Sequence, residues 1–332
     1  MLRNLKVEVR EASAVGAARR AAAEFSDTMG LGEARSSDVA IIVTELAGNL
    51  VKHTPAGGEI LLSFTHQGDM EVLALDTGPG LAQPGMVLRD GYSTAGTPGT
   101  GLGAVSRLAS NFDFYSTPGK GTAVLARVAT GMTAPVTGVP MDVGVVHVPH
   151  PREYLNGDGW AVQLSAGHAR LLVVDGLGHG LHAHEASRQA LDTFRASPHL
   201  APSALLTSVH AALRNTRGAV GAVAELDAEE HTIRFAGIGN ITGAVADHLG
   251  RRGLMSLNGT LGQDVRKITE HSLPWPAGSA LIMHSDGLSS LWDLSRYPGL
   301  LHRSATLIAG VLYRDFQRGR DDATVLVVRA VP

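Results

Sequence analysis

Four aspartates in the second half of this 332-residue chain lie beside glycines or at the ends of apolar segments. Asp175 and Asp286 each follow an apolar segment and precede a glycine, in Val-Val-Asp-Gly-Leu-Gly-His-Gly and His-Ser-Asp-Gly-Leu. Asp158 lies in Asn-Gly-Asp-Gly, and Asp321 lies in Gly-Arg-Asp-Asp-Ala-Thr. Oxygen ligands favour hard cations such as Mg²⁺ or Mn²⁺. Carboxylates gathered on two such ions can lower the pKa of a bridging water and clamp a phosphoryl group for in-line attack.

A single Asp-Gly pair indicates no more than a turn, because this dipeptide is common in turns. Four such aspartates at the ends of apolar strands favour a shared site, but two choices stay open. Asp322 could replace Asp321, since the two are adjacent, and strand alternation lets only one of them point inward. Arg217, His179 and Asn240 are the candidates for contacting the phosphate.

The first half of the chain contains a different set of polar residues. Glu45 and Asn49 lie four residues apart in a predicted helix and therefore share one face. A carboxylate and a carboxamide placed in this way suit a general base and a magnesium ligand. Asp76, in Asp-Thr-Gly-Pro-Gly, ends an apolar strand. Its carboxylate can accept the exocyclic amine of adenine, while Gly78 and Gly80 let the base approach the backbone.

A glycine-rich segment, Gly-Thr-Gly-Leu-Gly, opens a short predicted helix in the same half. Its members are Gly99, Thr100, Gly101, Leu102 and Gly103. The free N–H groups and the positive dipole end of such a helix suit a triphosphate. Each of these motifs is common by chance. Their order and their placement on these elements together predict a nucleotide site.

These residues lie in two halves of the chain, which are predicted to fold differently. The front half predicts strands and helices that form a two-layer α+β domain. The back half predicts many strands around a helical pair, and therefore a β-sandwich with helices outside. The seam TGMTAPVTGVPM is uncharged and has no helical or strand period. It is either a linker or a long surface loop, and we interpret it as a linker because each side has its own motifs. The predicted limits are 1–130 for the front domain, 131–141 for the linker and 142–332 for the back domain.

The composition excludes several classes of function. The chain has no cysteine, which excludes disulfides, thiolate metal sites and cysteine nucleophiles. Its net charge of −3 gives no reason to expect nucleic acid or an anionic membrane as a partner. No apolar run reaches the roughly 18 residues of a membrane span, and the start of the chain does not look like a signal peptide. A cytoplasmic location is therefore expected.

The front motifs, in this order, resemble the GHKL ATP-binding family, whose domain is a two-layer α/β-sandwich. The resemblance covers residues 5–128, with Gly-Lys-Gly-Thr ending at Thr122 as the last matching segment. The small size and the helix with Thr-Glu-Leu-Ala-Gly-Asn look most similar to the anti-sigma-factor kinases of the RsbT-like branch. The resemblance implies that Glu45 activates a serine hydroxyl on a protein substrate, that Asn49 holds Mg²⁺ and that Asp76 binds adenine.

The back motifs resemble the SpoIIE-type branch of the metal-dependent (type 2C) protein phosphatases over residues 141–331, and Asn-Thr-Arg-Gly looks RsbX-like. This resemblance implies two Mn²⁺ or Mg²⁺ ions. Asp175 would bridge both ions, and the Gly176 carbonyl would join one of them. Asp286 and Asp321 would hold the second ion, and Asp158 would act mostly through water. Asp158 departs from the family pattern, since many relatives have another acidic residue shortly after it.

Together the resemblances imply a bifunctional regulator of a bacterial stress-response pathway. It would phosphorylate and dephosphorylate a serine or threonine on a small STAS-type protein, with ATP and Mg²⁺ serving the kinase domain. Two alternatives stay open. The front domain could only sense ATP, or it could sequester a sigma factor or another regulator without transferring phosphate. The oligomeric state is not indicated by the sequence.

Overall fold

The computed structural model describes residues 4–81, 101–131, 141–165 and 167–330. The chain divides into two compact units, with the division between residues 134 and 135. This position lies inside the segment interpreted as a linker, while the predicted domain limits themselves stay a prediction. No helix in the described ranges is both long and apolar enough to cross a membrane.

The front unit is one antiparallel sheet with helices packed on a face of it. The strands lie in the order β1-β2-β3-β5-β4, and each neighbouring pair is antiparallel. In chain order the elements are β1 (Leu5–Val9), α1 (Ala12–Thr28), α2 (Glu33–His53), β2 (Gly58–Phe64), β3 (Met70–Asp76), α3 (Gly101–Leu108), β4 (Asn111–Ser116) and β5 (Thr122–Val128).

Helical periodicity in α2 decides which of its faces meets the sheet. Ile42, Leu46 and Leu50 recur at four-residue spacing and are buried against sheet residues such as Ile60 and Val72. Their burial removes apolar surface from water, which is the main favourable term in folding. The polar side chains that neighbour this apolar stripe on α2 are therefore held at fixed positions beside the core.

The back unit is a sandwich of two antiparallel sheets with helices outside. The sheet orders are β13-β10-β9-β8-β7 and β12-β11-β14-β15-β6. The strands are β6 (Met141–Val148), β7 (Asp158–Ser165), β8 (His168–Gly176), β9 (Ala219–Asp227), β10 (Thr232–Ile238), β11 (Thr242–Asp247), β12 (Gly250–Leu254), β13 (His271–Pro274), β14 (Ala280–His284) and β15 (Ala323–Ala330). The helices are α4 (Leu181–Ala196), α5 (Pro202–Ala212) and α6 (Ala305–Phe316).

Strand β8 contributes to two separate cores because its side chains alternate between the faces of its sheet. Leu171 and Val173 are buried between the two sheets. Leu172 and Val174 are buried against the helices α4 and α5. The alternation places the side chain of Asp175, at the end of this strand, on the face that looks between the sheets.

The structure confirms the predicted fold class for both units. Turns divide residues 219–284 into the six strands β9 to β14. The last helix begins at Ala305, since residues 300–302 form a separate 3₁₀ turn that ends before Ser304.

Candidate functional site

An open cleft of about 420 Å³ brings together three of the four predicted aspartates of the back unit. Asp175 ends β8, Asp286 follows β14 and Asp321 precedes β15, so all three lie at the same end of the sandwich. The other lining residues are uncharged: Leu177, Gly178, Val220, Gly239, Asn240, Asn258 and Gly259.

Close backbone packing explains why glycine follows two of these aspartates. A methyl group on Gly176 would overlap the carbonyl oxygen of Ala183 in α4. A methyl group on Gly287 would overlap the carbonyl oxygen of Asp322. The glycines therefore let the chain approach its neighbours so closely that the preceding aspartates reach the same cleft.

Asp158 lies behind the cleft rather than in its lining. It is opposite Asp175 in the β7–β8 pairing, and only 1% of it is exposed. Its Oδ2 accepts hydrogen bonds from the hydroxyls of Ser285, at 2.6 Å, and Thr324, at 2.7 Å. Burial raises the pKa of Asp158 to about 7, although these hydroxyl donors oppose the shift. This placement suits the indirect role expected of Asp158.

Asp321 and Asp322 directly precede β15, and their side chains have different surroundings. Asp321 lines the cleft. Asp322 is 3% exposed and accepts the backbone N–H of His150 at 2.8 Å. The geometry therefore favours Asp321 over its neighbour as the residue that faces the cleft.

The carboxylates of the cleft destabilise one another when they are ionised. Burial, and then repulsion from Asp158, Asp286 and the Asp321–Asp322 pair, raises the pKa of Asp175 to about 9. Burial and Asp321 also raise the pKa of Asp286, while Arg318 and a 2.8 Å hydrogen bond from Asn240 Nδ2 oppose this shift. A bound cation would remove the cost of ionising these groups.

The donor set therefore fits hard divalent cations such as Mg²⁺ or Mn²⁺. All the acidic side chains that line the cleft are carboxylates with oxygen donors, and they repel one another unless a cation lies between them. Within the described ranges, no three acidic or histidine side chains converge closely enough to form an all-protein metal site. Few direct protein ligands are typical of Mg²⁺, which usually keeps several of its waters.

In the front unit, α2 and the start of α3 bring together three of the predicted nucleotide-site residues. A methyl group on Gly101 would lie 2.8 Å from Glu45 Oε2 and 3.8 Å from Asn49 Oδ1. Both side chains are half-buried and therefore accessible to a ligand. Leu102 and Gly103 lie in the first turn of α3. Gly99 and Thr100 lie outside the described residues.

A second group forms where β3 ends. Asp76 Oδ1 accepts the backbone N–H groups of Gly78, at 2.8 Å, and Thr122, at 3.2 Å. Gly80 has a φ of 68°, and a methyl group there would overlap the carbonyl oxygen of Thr117. The turn between β4 and β5 thus packs directly on the Asp76 loop, which fixes the carboxylate at the end of the central strand of the sheet.

The sequence interpretation missed the hydroxyl network that supports Asp158. Thr324 Oγ1 lies 2.8 Å from His147 Nδ1, and the Thr324 backbone N–H donates to Ser285 Oγ at 3.0 Å. Ser285 directly precedes Asp286, and Thr324 follows the Asp-Asp pair closely, so proximity to these motifs was the one available signal. Hydroxyl residues are too common for that signal to identify them.

Two family profiles match the two units. The histidine kinase-like ATPase domain matches residues 9–128, and Stage II sporulation protein E (SpoIIE) matches residues 165–331, about half of the chain. The chain therefore belongs to the SpoIIE family, with a histidine kinase-like ATPase domain preceding the phosphatase domain. The predicted resemblance to both families is confirmed.

Two curated relatives from Bacillus subtilis (strain 168) match one unit each. Serine/threonine-protein kinase RsbT is 30% identical over 112 residues, covering 33% of this chain and 84% of RsbT. Phosphoserine phosphatase RsbX is 25% identical over 118 residues, covering 35% of this chain and 59% of RsbX. The match therefore spans less than two thirds of RsbX.

Solved structures extend the comparison to the fold. A structure reported for the bacterial stressosome is 26% identical with a TM-score of 0.53, and the match covers 57% of this chain and all of that chain. The structure of RsbX in complex with magnesium has a TM-score of 0.51 at 20% identity, covering 57% of this chain and 96% of that one. The second likeness shows the fold alone.

Proposed function

We propose that the phosphatase domain removes phosphate from a phosphoserine or phosphothreonine on a STAS-type protein in a metal-dependent reaction. The observation that carries this proposal is the single cleft lined by Asp175, Asp286 and Asp321. The relationship to RsbX supports a phosphoserine substrate, because RsbX is itself a phosphoserine phosphatase.

Two Mg²⁺ or Mn²⁺ ions are proposed for this cleft. Asp175 would contact both ions and the Gly176 carbonyl one of them, while Asp286 and Asp321 would hold the second and Asp158 would act through water. The magnesium complex of RsbX supports this choice of metal. When bound, the ions would activate a water and neutralise charge on the phosphoryl group.

Neighbouring polar side chains orient the aspartates that are proposed to hold these ions. The Asn240 amide donates to Asp286 and holds its carboxylate in one direction. The Ser285 and Thr324 hydroxyls, both bonded to Asp158, hold the start of β7 against β14 and β15. Loss of such a supporting contact typically lowers metal affinity or activity about 10- to 100-fold.

We also propose that the front domain is a serine/threonine kinase for the same or a related partner. Glu45 would accept the proton of the substrate hydroxyl, since it lies beside Asn49 and the start of α3. Asn49 would bind Mg²⁺, and Asp76 would accept the adenine amine. The glycine-rich segment before and within α3 would receive the triphosphate, with Thr122 beside the base. The 30% identity to RsbT supports this proposal.

The two activities would act in partner switching in the cytoplasm, with one polypeptide adding and removing the same phosphate. The relationship to RsbT and RsbX, and the likeness to a structure reported for the bacterial stressosome, support a partner of this kind. A sigma factor or another regulator is a second possible partner for the front domain.

The test uses the full chain, a STAS-domain protein and ATP labelled on the γ-phosphate. Transfer of label to the STAS protein in Mg²⁺, followed by release of labelled phosphate in Mn²⁺, is the expected result. Asp175→Asn should keep transfer and lose release. Glu45→Gln should lose transfer but still release phosphate from a STAS protein that Asp175→Asn has labelled beforehand. Release without transfer, at a rate that ATP changes, would favour an ATP sensor. Stable binding of a regulator without transfer would favour sequestration. A wild type that releases no phosphate in Mn²⁺ contradicts the phosphatase proposal.

A further inference from the structure

Arg217 lies at the rim of the phosphatase cleft. It is part of the turn that joins the end of α5 to β9, and its side chain is exposed. A methyl group on Gly178 would lie 3.3 Å from Arg217 Nη1. Gly178 lines the cleft that contains Asp175, so the guanidinium lies next to one wall of the cleft.

Hydrogen bonds fix the turn that carries Arg217. Gly218 has a φ of 84°, and its N–H donates to Thr216 Oγ1 at 3.0 Å. The Leu177 N–H donates to the Gly218 carbonyl at 3.1 Å, which ties the turn to the Asp175 loop. On the other side, Gln263 Nε2 donates to the Arg217 carbonyl. The backbone of Arg217 is therefore held between two loops that end at the cleft.

The charge of Arg217 is not neutralised within the described part of the chain, where no carboxylate forms an ion pair with it. Another exposed arginine of this unit, Arg234, does have such a partner, since it lies 2.7 Å from Glu225. A positive group beside a cleft lined by three aspartates favours the binding of an anionic ligand there. A phosphate ester would meet repulsion from the carboxylates wherever no cation offsets it.

Two other residues were candidates for contacting the phosphate, and internal partners occupy both. The Asn240 amide donates to Asp286. His179 Nδ1 lies 2.7 Å from Glu153 Oε1, and its ring is stacked on His150. Within the described residues, Arg217 is the one of the three candidates whose side chain has no internal hydrogen bond or ion pair.

We propose that Arg217 binds the phosphoryl oxygens of the substrate and of the phosphate product. This inference rests on the proposed phosphatase function and adds a substrate-binding residue to it. The planar guanidinium can donate two parallel hydrogen bonds to a phosphate, which the ammonium group of lysine cannot do. Arg217 therefore complements the cations in the cleft by holding the side of the phosphoryl group that faces Gly178.

The experiment compares the wild type with Arg217→Ala, Arg217→Lys and the control Arg214→Ala, which removes another exposed arginine three residues away. Steady-state kinetics with a phosphoserine peptide in Mn²⁺ should show KM raised about 10- to 100-fold in Arg217→Ala. The inhibition constant of inorganic phosphate should rise in parallel. Arg217→Lys should fall between the wild type and Arg217→Ala, and guanidinium ions should partly restore Arg217→Ala. Arg214→Ala should match the wild type.

Calorimetry separates the possible failures. The wild type and Arg217→Ala should bind Mn²⁺ alone with equal affinity, and only the wild type should then bind inorganic phosphate well. Unchanged KM and phosphate affinity in Arg217→Ala would overturn the inference and leave the phosphatase proposal intact. Weakened Mn²⁺ binding in Arg217→Ala would show a structural role and would also overturn it. If the wild type hydrolyses nothing, the phosphatase proposal fails, and equal phosphate binding by the two proteins would then reject Arg217 independently.

Discussion

The two candidate sites are built by different means. The phosphatase cleft collects residues from the ends of strands that are far apart in the sequence, such as Asp175 and Asp321. The nucleotide site uses residues four apart on α2, the start of α3 and a turn that supports Asp76. The first site depends on the complete sandwich, whereas much of the second follows from local helix and turn geometry.

The sites also differ in how their charges are balanced. In the cleft, burial and mutual repulsion raise the pKa values of Asp175 and Asp286, so the ionised set is costly without a cation. At the nucleotide site, Asp76 already accepts two backbone N–H groups. Metal binding should therefore dominate the energetics of the first site, and hydrogen bonding to the ligand those of the second.

The largest expected effect is the loss of phosphatase activity in Asp175→Asn or Asp286→Asn. A carboxamide is a neutral and weaker metal ligand, and losing metal assistance removes several kcal/mol of transition-state stabilisation. Hydrolysis of p-nitrophenyl phosphate in Mn²⁺ should fall by at least about 10²-fold. Hydrolysis by the wild type should also require added Mn²⁺ or Mg²⁺ and stop in chelator.

The control for this loss is Asp192→Asn, which removes an exposed carboxylate of α4 and should keep full activity. ATP binding to the front domain should persist in Asp175→Asn and Asp286→Asn. Metal-independent hydrolysis, or full activity in Asp286→Asn, would reject the two-metal cleft.

Next in size is the effect of Glu45→Gln on phosphate transfer. A single positioned base typically contributes about 10²–10⁴ in rate, so transfer from ATP to a STAS protein should fall by about that factor. ATP should bind nearly as well as to the wild type, because the shape of the side chain is kept. Rapid-mix transfer assays and calorimetry measure the two quantities. Equal transfer rates in the two proteins would remove Glu45 from the chemistry.

A smaller effect is expected for Asp76→Asn. The proposed acceptor of the adenine amine would lose its charge, which should weaken nucleotide binding by about 1–3 kcal/mol. Calorimetry with ATP and with GTP tests this directly, since the loss should be specific to adenine. The matched control Asp113→Asn changes a carboxylate of β4 in the same sheet. Unchanged ATP affinity in Asp76→Asn would show that the base binds elsewhere.

Short motifs in the sequence indicated candidate residues of both sites, but contacts between residues far apart in the sequence could not be predicted. The Asp-Gly motifs pointed to Asp175 and Asp286, which both line the cleft, because a glycine after a strand signals close packing. The sequence reduced the choice to Asp321 or Asp322 but could not decide it, since Asp322 is held by the backbone N–H of His150, which is 172 residues away in the sequence. The Ser285 and Thr324 contacts to Asp158 could not be predicted, because they span 127 and 166 residues of sequence.

The last expected effect concerns the stability of the metal-free protein and its dependence on pH, and it involves no substrate. In the folded state the pKa of Asp175 is raised to about 9 from its ordinary 3.8. Between these values the unfolded chain releases a proton that the folded chain retains, so stability falls as pH rises through this window. Asp175→Asn has no such proton to release, so its stability relative to the wild type should increase with pH.

Thermal melts in chelator at about pH 5 and about pH 8 measure this difference. Asp175→Asn should melt a few degrees above the wild type at the higher pH and close to it at the lower pH. Added Mn²⁺ should reverse the order, because a ligand that binds only the folded state stabilises the protein that binds it better. Comparing the variant with the wild type at each pH cancels the titration of groups that both proteins share. A metal-free variant that collapses at both pH values would instead assign Asp175 to folding, since relief of repulsion cannot destabilise the folded state.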